Sequence, residues 1–363
     1  MTTIFSTVLN ILEFILAFGA LVFLHELGHF IAARANKIEV EEFGFGYPPK
    51  IFRLFRAGGT DFTVNWIPFG GFCRMKGGET GDTLEVGSFP AANPWRRLTT
   101  LLGGPVTNLL VGMLLIAFIF TRLGAPDLTK VKIIDVAPNS PAAEELIVGD
   151  IITELNGDPV DSIDKLTQLV KPNLGNEVIL TILRDGKPLE ITITPRLESP
   201  EGEGAMGVAI SNPVNKITYL QAMPKAFLST LDQGYQLLML PVRLISGQIA
   251  SSDARMVSVK GIYDIFAQVQ TIDEEEAAVD PSLKGLTVLN FLAMISIALG
   301  FTNLLPIPAL DGGHILFLIP EILFKKRVKP ELEGRVHFIG YVILLGLMVV
   351  MVINDIINPI ILH

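Results

Sequence analysis

The segment FLHELGHF, residues 23–30, carries three ionisable side chains, His25, Glu26 and His29, inside a long apolar run that predicts a helix. Residues four apart on a helix project from the same face, about 6 Å apart along the axis. Both imidazoles can therefore reach one metal ion. Imidazole nitrogen is a preferred zinc ligand, and Glu26 is placed to accept a proton from a water molecule beside the ion. The pattern predicts a catalytic zinc site.

Ionisable side chains within a membrane helix need a strong partner. A charged residue at the bilayer centre costs about 2.5–3.5 kcal/mol on insertion scales. A structural zinc ion contributes roughly 10 kcal/mol or more in zinc-finger peptides. The alternative is that His25 and Glu26 only form hydrogen bonds within a helix bundle. The comparison of free energies favours the metal.

A catalytic zinc ion usually has three protein ligands, so a third must come from elsewhere in the chain. The candidates are Asp311, His314 and His337, apart from the remote His363. Asp311 lies in NLLPIPALDGGH, directly after an apolar segment, where two prolines break the helix and two glycines permit a sharp bend. Asp311 is alternatively only the N-cap of the next helix. Its predicted depth in the membrane equals that of HELGH, which favours the ligand.

Length and composition predict an integral membrane protein with one soluble module, because half of the 363 residues are apolar. A helix needs about 20 apolar residues to cross a bilayer. Four segments approach or reach this length: residues 7–32, 98–120, 285–305 and 337–353. The first exceeds the length typical of a signal peptide, so we expect a retained membrane anchor. A fifth segment, residues 219–249, carries charges and is predicted to be an amphipathic helix, on the membrane or beside the bundle.

The charge distribution excludes nucleic acid as a partner and predicts an orientation. The net charge is −9, and no sizeable region has the basic excess that phosphates require. A single cysteine, Cys73, excludes an intramolecular disulfide. Residues 34–97 contain nine Lys and Arg, and the loop after the third apolar segment is also basic, so both are expected to be cytoplasmic. Both chain termini and the acidic region between the second and third segments are then extracytoplasmic.

Residues 131–195 have the pattern of a compact α+β module. Alternating segments VKIIDV, DIITEL, EVILTIL and LEITIT predict strands, separated by turns at NSP, NGDP and RDGKP, with a helix near residues 162–170. Residues 60–66, before the second apolar segment, also alternate as a strand. The edge of this strand is a candidate site where an extended substrate segment could add as a further strand. The equally weighted alternative is that residues 60–66 only pack against the membrane.

HELGH together with NLLPIPALDGG strongly resembles the site-2 protease family of intramembrane zinc metalloproteases. The runs GGPVTN and NWIPFGGFCRMKGG resemble the family too, and the module resembles its PDZ domain. The resemblance implies a multi-pass α-helical membrane protein with about four transmembrane helices, a membrane-associated β-hairpin or sheet and an inserted α+β PDZ domain. The expected division is residues 1–124 and 285–363 for the catalytic core, 125–200 for the PDZ domain and 201–284 for an amphipathic connecting region.

The resemblance also implies roles for individual residues. His25, His29 and Asp311 would bind Zn²⁺, Glu26 would be the general base, and Asn303 would contact substrate. The implied location is the bacterial inner membrane, with the active site toward the cytoplasmic side. The implied substrates are single-span membrane proteins already trimmed by an upstream, site-1-type protease, such as anti-sigma factors or remnant signal peptides.

The number of PDZ domains departs from the family pattern and leaves the role of the module open. The regulator-of-sigma-E type of this family has two tandem PDZ domains and this chain has one. The single domain is expected to exclude substrates with bulky outer domains, or to bind a newly exposed C-terminus. A membrane scaffold that displays the PDZ domain without enzymatic activity is the main alternative function. An enzyme acting on lipids or small molecules is a second.

Overall fold

The computed structural model describes residues 2–78, 84–200, 202–247 and 257–361. They form two compact units, Met1–Ile119 with Met223–His363, and Phe120–Ala222. Within the described ranges the helices are α1 (Thr2–Ala35), α2 (Pro94–Leu123), α3 (Ile163–Val170), α4 (Tyr219–Ile245), α5 (Val259–Val279), α6 (Leu286–Asn303), α7 (Asp311–Phe324) and α8 (Pro330–Ile357). The strands are β1 (Val40–Ala57), β2 (Thr60–Met75), β3 (Ala125–Pro126), β4 (Val131–Val136), β5 (Ile151–Leu155), β6 (Asp158–Pro159), β7 (Val178–Arg184), β8 (Lys187–Ile193), β9 (Val208–Ser211) and β10 (Val214–Asn215).

Four of the described helices are long and apolar enough to cross a membrane. The stretches are Val8–Ala35, Pro94–Leu123, Pro281–Asn303 and Pro330–Ile357, and each coincides with a predicted segment. The fifth predicted segment contains α4, which does not reach the same apolar character. A Cβ atom added to Gly234 of α4 would lie 2.2 Å from the Phe301 ring, so α4 packs closely against α6. Residues 248 and 249 of the fifth segment lie outside the described residues.

Strands β1 and β2 form an antiparallel hairpin whose turn is made by Gly58 and Gly59, with φ of 57° and 87°. The hairpin folds on itself, so that residues 60–65 pair with residues 50–57 on one side, and residues 61–64 also pair with residues 42–45 on the other. The strand predicted at residues 60–66 is present, but its predicted role as a free edge is wrong. Alternation of apolar residues specifies a strand without showing whether one or both of its edges are paired.

The hairpin lies against α1 through aromatic side chains at the two ends of FLHELGHF. Phe23 and Phe30 are seven residues apart and share one helix face. The Phe43 ring of β1 contacts both, with centroid distances of 5.3 Å to Phe23 and 5.0 Å to Phe30. This contact covers one face of α1 and leaves the face of His25 and His29 to the other helices.

Glycines bring α1 and α2 into backbone contact. A Cβ atom at Gly28 would lie 2.2 Å from the carbonyl oxygen of Gly103, and one at Gly103 would lie 2.5 Å from the carbonyl oxygen of Gly28. Small residues at such a crossing are how membrane helices approach closely. The run GGPVTN is therefore the part of α2 that packs on the HELGH motif.

The unit Phe120–Ala222 contains an antiparallel sheet of strand order β8-β7-β5-β4-β9, with β6 paired to β5. Helix α3 begins after Ser162, whose hydroxyl accepts a hydrogen bond from the backbone N–H of Lys165. The predicted strands and helix of this module are present. Strand β9 was not predicted, because four residues after a Gly- and Glu-rich segment give little periodic signal. The domain boundary predicted at residue 200 falls inside this unit.

An ion pair between the buried Asp150 and the half-buried Arg184 links two parts of this unit. The Arg184 guanidinium donates hydrogen bonds to both carboxylate oxygens of Asp150, at 2.9 Å and 2.7 Å, and the backbone N–H of Ile147 donates a third at 3.0 Å. Burial alone would raise the pKa of Asp150, but these hydrogen bonds and the Arg184 charge hold the pKa below its usual value. The charged form of Asp150 therefore stabilises the folded unit.

Candidate metal centre

Three predicted ligands from two separate helices meet at one point. Nε2 of His25 lies 3.1 Å from Nε2 of His29 and 3.1 Å from Oδ2 of Asp311. Nε2 of His29 lies 3.4 Å from Oδ1 of Asp311. The histidines on α1 are buried, and Asp311, the first residue of α7, is half-buried. The structure thus brings together side chains that are 286 residues apart in the chain.

The spacing of these atoms fits a tetrahedral zinc ion. Ligands at about 2.0–2.1 Å from zinc in tetrahedral geometry are roughly 3.3 Å from one another. The separation of 3.1 Å between the two Nε2 atoms agrees, and the Asp311 carboxylate lies at a similar distance from each, through Oδ2 for His25 and Oδ1 for His29. With both rings neutral and protonated at Nδ1, the two Nε2 lone pairs would face each other and the carboxylate, so this arrangement requires a cation or an added proton at its centre.

The hydrogen bond at the far side of the His29 ring selects the state that binds a metal. Nδ1 of His29 lies 2.9 Å from the carbonyl oxygen of Thr100. A carbonyl only accepts, so Nδ1 carries a proton, and in the neutral ring Nε2 then presents its lone pair to the centre. Histidine ligands of metals usually donate their other N–H in this way.

Asn108 stands in the corresponding position beside His25. Its side-chain amide lies 3.2 Å from Nδ1 of His25, and its Oδ1 has no hydrogen-bond partner among the described residues. The two ends of an Asn amide are interchanged by a 180° rotation. The rotated amide places Oδ1 where Nδ1–H of His25 can donate to it. Asn108 therefore allows His25, like His29, to bind zinc through Nε2.

Gly104 of α2 provides the space in which the two imidazoles meet. A Cβ atom at Gly104 would lie 2.3 Å from Nε2 of His29 and 2.6 Å from Nε2 of His25. Any side chain at this position would enter the centre itself. Neither Gly104 nor Asn108 was predicted as a site residue, although both lie in GGPVTN. The position of that run on the second apolar segment was the sequence signal that could have identified them.

The loop before α7 directs Asp311 into the centre. The N-cap residue of α7 is Leu310, so the alternative that Asp311 is only the N-cap is wrong. The next two glycines permit close contact with the preceding loop. A Cβ atom at Gly312 would lie 2.2 Å from the carbonyl oxygen of Leu305, and one at Gly313 would lie 2.4 Å from that of Ile307.

The other predicted residues lie around this centre or apart from it. Glu26 is half-buried beside His25 on α1, and Asn303 is the half-buried last residue of α6. Among the described residues, no hydrogen bond links the Asn303 side chain to the three ligands. His314 and His337, the alternative third ligands, form a separate group with Glu333.

Tyr47 of β1 adds a hydroxyl group that sequence reasoning missed. Burial, followed by the charges of Glu26 and Asp311, raises the pKa of Tyr47 to about 12. The phenol is therefore protonated and lies within electrostatic reach of both carboxylates. A lone tyrosine within a strand carries no sequence signal for this placement.

A known protein family and individual relatives match this chain over most of its length. Residues 13–347 match the sequence pattern of the family described as "Peptidase family M50". A candidate zinc metalloprotease of Clostridium perfringens is 32% identical, covering 95% of this chain and 98% of the relative. The regulator of sigma-W protease RasP of Bacillus subtilis is 28% identical, covering 96% and 98%.

A solved PDZ domain of an SdrC-like protein from Listeria innocua is 25% identical and covers 22% of this chain and 91% of that domain, with a TM-score of 0.21. That score is too low to support an argument about the fold. The PDZ character of the unit Phe120–Ala222 stays a prediction from the sequence.

Proposed function

Because the chain belongs to peptidase family M50, the site-2 type of zinc metalloprotease, we propose that it cuts single-span membrane proteins within or near their transmembrane segments. The observation that carries this proposal is the convergence of His25, His29 and Asp311 in a unit whose long helices are apolar enough to span a membrane. Family membership decides against the scaffold and against an enzyme acting on lipids or small molecules.

The mechanism follows from the groups around the centre. His25, His29 and Asp311 would hold the zinc ion, which supplies Lewis acidity to a peptide carbonyl when bound. Glu26 takes the proton of the attacking water and delivers it to the leaving nitrogen. The Asn303 amide is a donor for the substrate. Asn303 either stabilises the developing oxyanion or holds the substrate backbone, and neither role has precedence.

Capture of substrate requires a stretch of unwound backbone, because the carbonyls of a helix are already hydrogen-bonded. Residues 71–75 of β2 are suited to bind it by strand addition. They pair with residues 40–45 on one side, and no other strand pairs with them among the described residues. Cβ atoms added at Gly70 and Gly71 would lie 2.4 Å from Val22 and 3.4 Å from Phe23, so this edge lies beside the part of α1 that precedes His25.

The proposed orientation places the centre toward the cytoplasmic side and the unit Phe120–Ala222, with both termini, outside. In this position the PDZ-like unit excludes substrates that retain bulky outer domains, in preference to binding a C-terminus. Substrates would then require prior cleavage by another protease, as expected for anti-sigma factors and remnant signal peptides. The name of the Bacillus subtilis relative, regulator of sigma-W protease, supports a role in regulated proteolysis.

The experiment uses purified protein in detergent with a single-span model substrate, with and without a zinc chelator. We expect cleavage that the chelator stops and added zinc restores. Glu26→Gln is expected to retain zinc but lose cleavage, because the amide cannot accept the proton. Undiminished cleavage by Glu26→Gln, or by the chelated protein, would contradict the proposal. A second substrate with a folded outer domain tests exclusion, and equal cleavage of both forms would contradict that role.

A further inference from the structure

Helix α8 makes two close contacts with the loop that precedes Asp311. Nδ1 of His337 lies 3.0 Å from the backbone nitrogen of Ala309, whose N–H it accepts. Nearly one turn later, a Cβ atom at Gly340 would lie 2.5 Å from Cβ of Pro308 and 2.9 Å from its carbonyl oxygen. The α8 backbone therefore touches the loop, and His337 fixes one of its peptide groups.

The contact falls on a residue whose backbone is in an unfavourable conformation. Ala309 has a φ of 76°, in the left-handed region. This region is unfavourable for a residue with a Cβ atom. Ala309 is two residues before Asp311, so a change of its φ would swing the carboxylate away from the histidines. The hydrogen bond to His337 supports the conformation that the ligand position requires.

The same face of α8 contacts the chain on the other side of Asp311. The rings of His337 and His314 stack, with centroids 3.7 Å apart and an interplanar angle of 16°. Glu333, one turn before His337, has a carboxylate oxygen 3.6 Å from Nδ1 of His314. Three residues of α8, Glu333, His337 and Gly340, thus line the segment from Pro308 to His314.

This group of two histidines and a glutamate is not well arranged to bind a metal ion itself. A histidine binds a metal in the plane of its ring, and parallel stacked rings direct their lone pairs along parallel planes. In addition, Nδ1 of His337 accepts the Ala309 N–H, which leaves the ring proton on Nε2. The geometry suits a hydrogen-bond acceptor and stacking partner.

We infer that His337 is a positioning residue that acts through Ala309 to hold Asp311 in the zinc centre. The inference rests on the proposed function, in which Asp311 binds zinc. His337 is buried, with 8% of its surface exposed, and belongs to a different helix from every proposed ligand. Its effect should therefore appear in metal binding even when no substrate is present.

The test compares His337→Asn with His337→Phe in the full-length protein. The Asn side chain keeps an acceptor at the place of Nδ1, whereas Phe keeps a ring of similar shape without an acceptor. Zinc affinity is measured by competition with a chromophoric chelator, and the visible spectrum of the Co²⁺-substituted protein reports the ligand set. Phe338→Ala, at a neighbouring residue that is 68% exposed, is the matched control on α8.

We expect His337→Phe to weaken zinc binding about 10- to 100-fold, the usual effect of losing a group that orients a ligand, and to alter the Co²⁺ spectrum. His337→Asn and Phe338→Ala should stay within a few-fold of wild type. Equal affinity in wild type and His337→Phe, or equal losses in both His337 variants, would overturn this inference but not the proposed function. A second zinc ion per wild-type chain, lost in both variants, would also overturn it. A wild-type chain without zinc would overturn the proposed function as well.

Discussion

Gly104→Ala adds one methyl group at the point where the two imidazoles meet. The new Cβ would lie 2.3 Å from Nε2 of His29, and ordinary van der Waals contact begins at 3.4 Å, so that nitrogen must move by about 1.1 Å. Zinc–nitrogen distances vary by only about 0.2 Å in working sites. Because α1 and α2 are in backbone contact at Gly28 and Gly103, making room at Gly104 would require this close helix crossing to open. We expect at least a ~100-fold loss of zinc affinity, equivalent to about 2.8 kcal/mol.

The assay is competition with a chelator of known affinity, with circular dichroism to verify the helical fold. Gly112→Ala is the matched control for crowding on the same helix, since its Cβ would lie 2.4 Å from Ile297, away from the centre. Gly346→Ala on α8 is the control for open space, because nothing lies within 4 Å of its Cβ. Alanine favours a helix over glycine by about 1 kcal/mol, so a general loss of helix is not expected in any variant. Gly104→Ala binding zinc as tightly as Gly112→Ala would refute the placement of the centre.

Three further predictions concern other parts of the structure. Asn108→Ala should weaken zinc binding about 10- to 100-fold, while Asn108→Asp, which keeps an acceptor for His25, should retain it; equal losses in the chelator assay would contradict the assigned hydrogen bond. Gly312→Ala should lower zinc content measured by mass spectrometry, because its Cβ would lie 2.2 Å from a backbone oxygen of the preceding loop, and full occupancy would contradict this. The pKa of Asp150 is lowered in the folded unit, so its stabilisation is present above the ordinary value of about 3.9 and is lost as the pH falls below it. In Asp150→Asn, hydrogen exchange of residues 131–193 should be faster at pH 7 and lose this acid dependence, and an unchanged pH profile would contradict the role of Arg184.

The metal centre could be predicted from the sequence to the extent that its ligands carry local patterns. HELGH specifies two proposed ligands by helical spacing alone, and the apolar segments predict Asp311 at the same depth. The groups that orient these ligands carry no such pattern. The positions of the Thr100 carbonyl and of the space left by Gly104 depend on how α1 and α2 cross. The spacing of apolar residues along one helix does not determine that crossing.

The fold shows the same division between local and long-range information. The four apolar helices and most strands of the module follow from periodicity, which is a local property. The pairing of residues 61–64 on both sides, and the addition of β9 to the edge at β4, depend on contacts between distant segments. Helix α5 was also missed, because its acidic residues hide the apolar face through which Phe266 contacts Phe14.

The most direct test of the central claim is X-ray absorption at the zinc edge of the purified protein, compared with Asp311→Ala. We predict one zinc ion per chain, a first shell of nitrogen and oxygen at about 2.0–2.1 Å with the signature of two imidazoles, and no sulfur. Asp311→Ala should lose an oxygen ligand and bind zinc more weakly. A sulfur ligand at about 2.3 Å, or a shell unchanged in Asp311→Ala, would contradict the claim that His25, His29 and Asp311 hold the metal.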